Sequence, residues 1–581
     1  MADSILFWNE VALEANRCSH TDLKLAQQTG PTLSSRALAI IHLAMYDAYA
    51  GAVNDPATLP PYLSGLPAVP AGASPLAAVA GAAYTTLVDL YSAQQTFFDD
   101  SLTASGALQA DPGFAFGVQV ARALLLDRSQ DPMTNNDPYD PTTERFHHRE
   151  DPDNPNQGFL GARYGRARNF AVTTRHNLQA PPNNGAGSTT KQRKEYESAV
   201  RQVRVKGIKP ELMGTLPDES EDLQRTPEET VIGIYWGYDG AIGLGTPPRL
   251  YNLIIRRVAQ AKGNSEAENA VLFALVNAAM GDAGILSWEQ KYTHNFWRPV
   301  VGIREHDPSF GPGATEGRDD ISANADPQWL PLGAPKSNVL NERFAPATRP
   351  LNPPGNNAAF GEEEARIDAA AAAAPPPPTM EEVMRNPRFL CASFLPCLTL
   401  GKNFTPNFPA YPSGHATFGA AAFQMARLVF GVKPKDRKRD TLTEGLDFIS
   451  EEFFSGNERY QGKFFENRDV HCIAPEQQNK GTTGTQDNFG TVRPTHRRAF
   501  KDGFWQMIIE NAVSRVFLGV HWVFDAFAVK GDADKNEIEP DLKRNVGGVP
   551  LGLNIAEDIY ENFRQARQQG RNWRTEVNPQ V

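Results

Sequence analysis

Three separated stretches of the chain combine cations, histidines and a serine in an order suited to holding an oxyanion. The first is Lys291-Tyr-Thr-His-Asn-Phe-Trp-Arg298-Pro299. Seven positions on a helix are nearly two turns, so Lys291 and Arg298 would share a face to within about 20°. Pro299 would end the regular hydrogen bonding and place Arg298 at a helix terminus. An isolated pair of this kind is a solvated basic face. Here Trp288, Phe296 and Trp297 flank the pair, so a buried stripe is expected, and buried cations need a counter-charge.

The second stretch runs from Phe408 through Pro409-Ala410-Tyr411-Pro412-Ser413-Gly414-His415 into an apolar segment. Ser413 is a natural N-cap, and the free N–H groups of a helix start form an anion cradle. Gly414 would let backbone approach a ligand closely. His415 would sit at the mouth, where an acid or base is useful. On its own, this is also what a capped helix with a nearby histidine looks like. The third stretch is Ser514-Arg515-Val-Phe-Leu-Gly-Val-His521-Trp-Val-Phe-Asp525. His521 and Asp525 are four apart, one face of a helix, so the carboxylate could hold one imidazole nitrogen and leave the other free as ligand or nucleophile. Arg515 and His521 are six apart, a poor helical phase. Either the arginine stem reaches around or the helix is irregular near Gly519, and the two should approach an anion from different directions. A shared anion would satisfy all these charges together, in apolar surroundings where bare charge is expensive.

Helices must position these groups. Ser35 can cap a helix through Leu38, Ile41, Met45 and Tyr49, and residues 75–95, 114–128, 249–261, 414–430 and 500–528 show helical periodicity. Ser265 with Glu268 forms a capping-box pattern. Alternating strands are scarce. The fold class expected is all-α, packed helical bundles with long irregular loops. The division expected is an N-terminal bundle over 1–227, an active-site bundle over 228–303 and 406–560, an irregular insertion over 304–405 and a tail over 561–581. The polar segment 130–195 reads as surface loops, and Ala369–Ala374 before Pro375–Pro378 as a stopped helix or a loop.

Composition limits the partners. The 581 residues are 40% hydrophobic and 22% charged, a folded profile, and the net charge of −11 with no basic tail argues against nucleic acid. The four cysteines (Cys18, Cys391, Cys397, Cys472) form no CxxC pair, which argues against zinc. Their pairing stays open. No run reaches the roughly 18 apolar residues of a membrane span, and the N-terminus lacks the pattern of a signal peptide, so a soluble, by default cytoplasmic, chain is expected.

Lys-(six residues)-Arg-Pro, Pro-Ser-Gly-His and Ser-Arg-(five residues)-His-(three residues)-Asp, complete and in order, are similar to the signature of the type 2 phosphatidic-acid phosphatase superfamily. That superfamily contains the vanadium-dependent haloperoxidases. Phe7-Trp8-Asn9, Arg36–Asp47, Tyr235–Asp239, Gly245–Arg249, Trp288, Phe408 and Gly547–Leu551 resemble the fungal members, the vanadium chloroperoxidases. The resemblance implies two packed four-helix bundles with the site within one of them, and vanadate as cofactor, with hydrogen peroxide, halide and small organic molecules as substrates. It implies that His521 anchors vanadium, and that Lys291, Arg298, Ser413, Gly414 and Arg515 hold the vanadate oxygens. It further implies that His415 takes a proton from peroxide, that Lys291 polarises peroxide, and that Asp239 pairs with Arg515. Bromide turnover is expected, with iodide, and chloride is left open. A homo-oligomer is expected, although members of the family occur in both states. The rival reading is a soluble acid phosphatase in which His521 forms a phosphohistidine and His415 protonates the leaving group. A third is an oxyanion binder without turnover, against which His415 argues. His294, one turn beyond Lys291, would either alter the halide pocket or stand at the surface.

Overall fold

The computed structural model describes residues 3–20, 25–132, 139–154, 157–216, 223–240, 245–311, 322–334, 404–449, 497–530 and 538–575. The expected all-α class holds. The described helices are α1 (Ser4–Ser19), α2 (Gly30–Val53), α3 (Pro75–Leu90), α4 (Gln95–Ala104), α5 (Pro112–Asp127), α6 (Thr190–Lys206), α7 (Pro227–Tyr235), α8 (Pro247–Lys262), α9 (Glu266–His294), α10 (Pro299–Glu305), α11 (Gly414–Val429), α12 (Gly503–Phe517), α13 (Val523–Ala526) and α14 (Gly548–Gln569). Among the described residues the only strands are Phe448–Ile449 and Arg497–Arg498, paired antiparallel. The run Ala369–Pro378 and Cys391, Cys397 and Cys472 lie outside the described residues. Cys18 is buried and disulfide-bonded.

The helices form two groups. α2, α3 and α5 pack on one another with α1 beside them; α9, α11, α12 and α14 pack in a second group with α8 against it. α2 lies along α9, and one continuous core runs through both groups. Among the described residues α9 alone is long and apolar enough to cross a membrane, and it is buried in this core. Its start is as expected: Ser265 and Glu268 close a reciprocal capping box. α2 differs. It begins at Gly30 with Pro31 in its first turn, and Ser35 is interior, its hydroxyl donating to the Thr32 carbonyl. Proline at the first turn costs nothing, because that N–H has no helical acceptor.

α11, which starts at the second chemical stretch, is clamped by α14 through glycines. A Cβ at Gly552 would lie 2.3 Å from the Thr417 carbonyl oxygen, and one at Gly548 would lie 2.5 Å from that of Ser413. Both targets are backbone and cannot swing aside. Gly552→Ala is therefore expected to destabilise by about 1–3 kcal/mol through overpacking. A thermal unfolding midpoint equal to the wild-type value would refute this account of the clamp.

Candidate active site

Lys291 occupies the last turn of α9, but the stripe expected with Arg298 does not form. The helix stops at His294, and Asn295 takes the left-handed conformation at the cap (φ 50°). Asparagine tolerates that conformation better than most residues. Its side-chain oxygen also accepts from the Tyr139 hydroxyl at 2.6 Å. Arg298 is instead the N-cap of α10, with Pro299 at N1, so the proline opens a helix rather than closing one. The two cations nonetheless converge, and both are fully buried.

What brings them together is the segment before Ser413. Lys291 Nζ donates to the carbonyls of Pro409 (2.9 Å), Ala410 (3.1 Å) and Pro412. Arg298 Nε donates to the Phe408 carbonyl (2.9 Å) and Nη1 to that of Val520 (2.8 Å). The Phe408 ring lies 5.0 Å from Nζ and 4.9 Å from the guanidinium, in cation–π range. Trp288 stacks obliquely on Phe408 at 4.7 Å, and its indole N–H donates to the Leu160 carbonyl (3.1 Å). Ser413 caps α11 through the Ala416 N–H, as expected, and its own N–H donates to the Asp525 carbonyl at 2.8 Å. The second and third stretches are thereby tied backbone to backbone.

In the third stretch the helix expected over 500–528 is broken. α12 ends at Phe517, and Gly519 turns the chain with φ +72°. A Cβ there would lie 2.5 Å from the Gly207 carbonyl oxygen. His521 stands in the turn, and α13 begins two residues later. The His521–Asp525 pair therefore owes its geometry to capping. Asp525 Oδ2 accepts from the Trp522 N–H (3.0 Å) and pairs with His521 Nδ1 (2.8 Å). The other ring nitrogen, Nε2, lies 2.8 Å from Arg298 Nη1. A guanidinium can only donate, so Nε2 carries the lone pair and Nδ1 the proton. That is the tautomer a metal ligand or a nucleophile needs. Arg515 comes from α12 and pairs through both terminal nitrogens with Asp239, at 2.9 and 2.6 Å. Arg515 and His521 thus reach the site from different directions, as their phase required.

His521, Arg515, His415, Gly414 and Asp239 line one cavity with Trp288 and Phe408. Its remaining wall is mostly apolar, from Pro31, Leu160, Pro247, Phe404, Pro406 and Phe418. Lys291, Arg298, Ser413 and Asp525 are fully buried behind that lining. His294 does not line it; half-buried, it stands edge-on to the Tyr411 ring at 5.1 Å. Sequence reading missed Asn511, which donates from Nδ2 to the His415 carbonyl (2.8 Å), and Trp236, whose backbone hydrogen-bonds the His415 ring. The spacing of Asn511 and Arg515, one helical turn, was the available signal.

The electrostatics are those of a cluster with more positive charge than its surroundings support. Burial, then the neighbouring Arg298, holds the Lys291 ammonium well below its ordinary pKa, and burial brings Arg298 down to about 9. His521 and His415 are both held well below 6.5, by burial first and then by Arg298 and Arg515 respectively. Burial pushes Asp525 up to about 7 and raises Asp239, against the pull of Arg515. Arg298 Nη2, Arg515 Nε and His415 Nε2 are buried without a hydrogen-bond partner among the described residues. Unmade bonds to buried polar groups cost about 1–3 kcal/mol each, and more for charged ones, a cost that an anion among the guanidinium donors would offset.

The "Vanadium chloroperoxidase N-terminal domain" model matches residues 2–158, and the "VCPO second helical-bundle domain" model matches 271–346 and 391–531. The vanadium chloroperoxidase of Curvularia inaequalis is 31% identical, over 96% of this chain and 89% of that protein. A bacterial vanadium-dependent iodoperoxidase has a similar fold, with a TM-score of 0.54 at 18% identity, covering 95% of each chain.

Proposed function

The chain belongs to the vanadium chloroperoxidase family of vanadium haloperoxidases, and on that premise we propose that it oxidises bromide and iodide with hydrogen peroxide to the hypohalous acid, which halogenates small organic molecules. Family membership makes it a vanadium haloperoxidase, and vanadate its cofactor. The site fits that group: three buried cations converge on a cavity, and buried donors among them lack acceptors among the described residues. Lys291, Arg298, Arg515, Ser413 and the Gly414 N–H would hold the oxyanion, with His521 Nε2 as its nitrogen ligand.

When bound, vanadate keeps its oxidation state and supplies a Lewis acid that activates hydrogen peroxide toward halide. The chain's own residues do the rest. Burial and Arg515 keep His415 neutral at pH 7, so its free Nε2 can take the proton of an approaching peroxide. Lys291 and Arg298 draw negative charge away from the reacting oxygens in a site shielded from water. Trp288 and Phe408 present apolar faces at which a halide would shed water. Bromide gives up electrons more readily than chloride, which places it ahead as substrate; the Curvularia relative is named for chloride.

The observation that carries this reading is the His521 tautomer, with Asp525 on Nδ1 and the Nε2 lone pair at the cation cluster. The same lone pair would serve a phosphohistidine mechanism, so the test must separate the two. Purified protein is assayed for bromination with hydrogen peroxide, with and without added orthovanadate, and for phosphate-ester hydrolysis without it. Bromination that requires vanadate and is suppressed by inorganic phosphate is expected. Absence of bromination at every vanadate loading would overturn the proposal.

A further inference from the structure

α12 meets His415 by three routes. Arg515 holds Asp239, whose Oδ2 lies 3.9 Å from His415 Nε2. Asn511 holds the His415 carbonyl. Glu510 touches neither. Its Oε1 accepts from the Trp236 indole N–H at 3.0 Å, and its Oε2 from Arg498 Nη2 at 2.8 Å. Trp236 is fully buried and Glu510 nearly so.

A carboxylate in that position is costly unless it is satisfied, and apolar packing against an indole would be cheaper. The chain position of Trp236 supplies a reason. Trp236 opens the turn that ends at Asp239, and the Tyr238 N–H closes on its carbonyl at 2.8 Å. That turn presents two partners to His415: the Trp236 backbone and the Asp239 carboxylate. Its far side is fixed through the indole N–H, and Glu510 is what fixes it.

We propose that Glu510 is a positioning residue for His415, acting through the Trp236 indole and the 236–239 turn. This rests on the reading of His415 as the proton acceptor. Glu510 reaches neither the anion cradle nor the halide wall, so its loss acts on the proton-transfer geometry. A shift of about 1 Å in a reacting group can cost about a hundredfold in rate.

The experiment compares E510A, E510Q, W236F, the W236F/E510A double variant and H415A, all loaded with orthovanadate. E510A and W236F are each expected to lower kcat for bromide oxidation by roughly ten- to a hundredfold, with KM for bromide and peroxide unchanged. E510Q keeps an oxygen for the indole and recovers most of the rate. The double variant is no slower than the worse single one, because both remove one link. Orthovanadate affinity of the apoprotein, measured by calorimetry, stays at the wild-type value. A purely structural role would lower thermal stability without the KM–kcat split. Wild-type kcat in E510A, or additive losses in the double variant, would overturn the proposal. Should E510A not fold, W236F keeps the ring and the Glu510–Arg498 pair and carries the same test. Failure of the wild type to oxidise bromide would instead overturn the functional reading; an active wild type, inactive H415A and unimpaired E510A would remove this inference alone.

Discussion

Replacing His415 with alanine is expected to lower the rate of bromide oxidation by vanadate-loaded protein by about 10²–10⁴-fold, the usual contribution of a positioned acid–base group. His415 lies in the first turn of α11. The first residues of this helix are pinned by Ser413 at the cap, by the Ser413–Asp525 backbone link and by Asn511 on the His415 carbonyl. The imidazole is buried against the Asp239–Arg515 pair, and both burial and Arg515 oppose its protonation. It is therefore a neutral base at pH 7 with an unpartnered nitrogen. Alanine removes that base but leaves every hydrogen bond of the cation cluster in place, because none of the cradle contacts uses the imidazole. Orthovanadate should accordingly still bind, and calorimetry on the apoprotein measures that separately from turnover. Oxidation surviving at the wild-type rate in a variant shown to bind vanadate would end the assignment of His415 as the proton acceptor. Loss of vanadate binding in step with activity would move its role to the cradle.

The sequence made some of this legible and hid the rest, for identifiable reasons. Side-chain identity in the three stretches pointed to an oxyanion site, because Lys291, Arg298, Arg515, His415 and His521 in aromatic surroundings have few other ways to offset their burial. The caps of Ser265 and Ser413 were legible because capping is local: a side-chain oxygen, a backbone N–H and a fixed spacing suffice. What the spacing misjudged was helix continuity. Lys291 to Arg298 matches two helical turns, yet Asn295 leaves the helix in the left-handed region, and the cations converge from two helices. His521 to Asp525 matches one turn, yet His521 stands outside the helix, after the break at Gly519, and the contact is made by a carboxylate capping α13. Both stretches fit a helical period that the chain does not follow, and only tertiary contacts decide: carbonyls of 408–412 for Lys291 and Arg298, the Gly207 backbone for Gly519. Asn511 was signalled only by its place one turn before Arg515, and the roles of Trp236 and Glu510 were hidden for a related reason. They act on His415 through backbone or through another residue, and no pattern of side-chain types encodes that.

The second large effect concerns His521. His521→Ala is expected to weaken orthovanadate binding by more than the roughly 10–100-fold that loss of an orienting partner costs, and to remove vanadate-dependent bromination with it. The protein should stay folded, since Arg298 keeps its bonds to the Phe408 and Val520 carbonyls and Asp525 keeps the Trp522 N–H. Asp525 offers a graded comparison. Its Oδ2 serves both His521 Nδ1 and the Trp522 N–H, while Oδ1 is buried without a partner among the described residues. Asparagine can place its one oxygen at Oδ2 and its amide at Oδ1, so Asp525→Asn preserves the tautomer of His521 and removes only the negative charge that supports Lys291 and Arg298. Asp525→Ala removes both. Vanadate affinity should therefore fall in the order wild type, Asp525→Asn, Asp525→Ala, His521→Ala, with Asp525→Ala within about 10–100-fold of wild type. Calorimetric titration of each apoprotein with orthovanadate reads the series directly. If His521→Ala bound vanadate as tightly as Asp525→Asn, the Nε2 lone pair would not be the anchor, and the cations alone would hold the anion. If Asp525→Asn were as weak as His521→Ala, the carboxylate's charge rather than the tautomer it fixes would be what the site depends on.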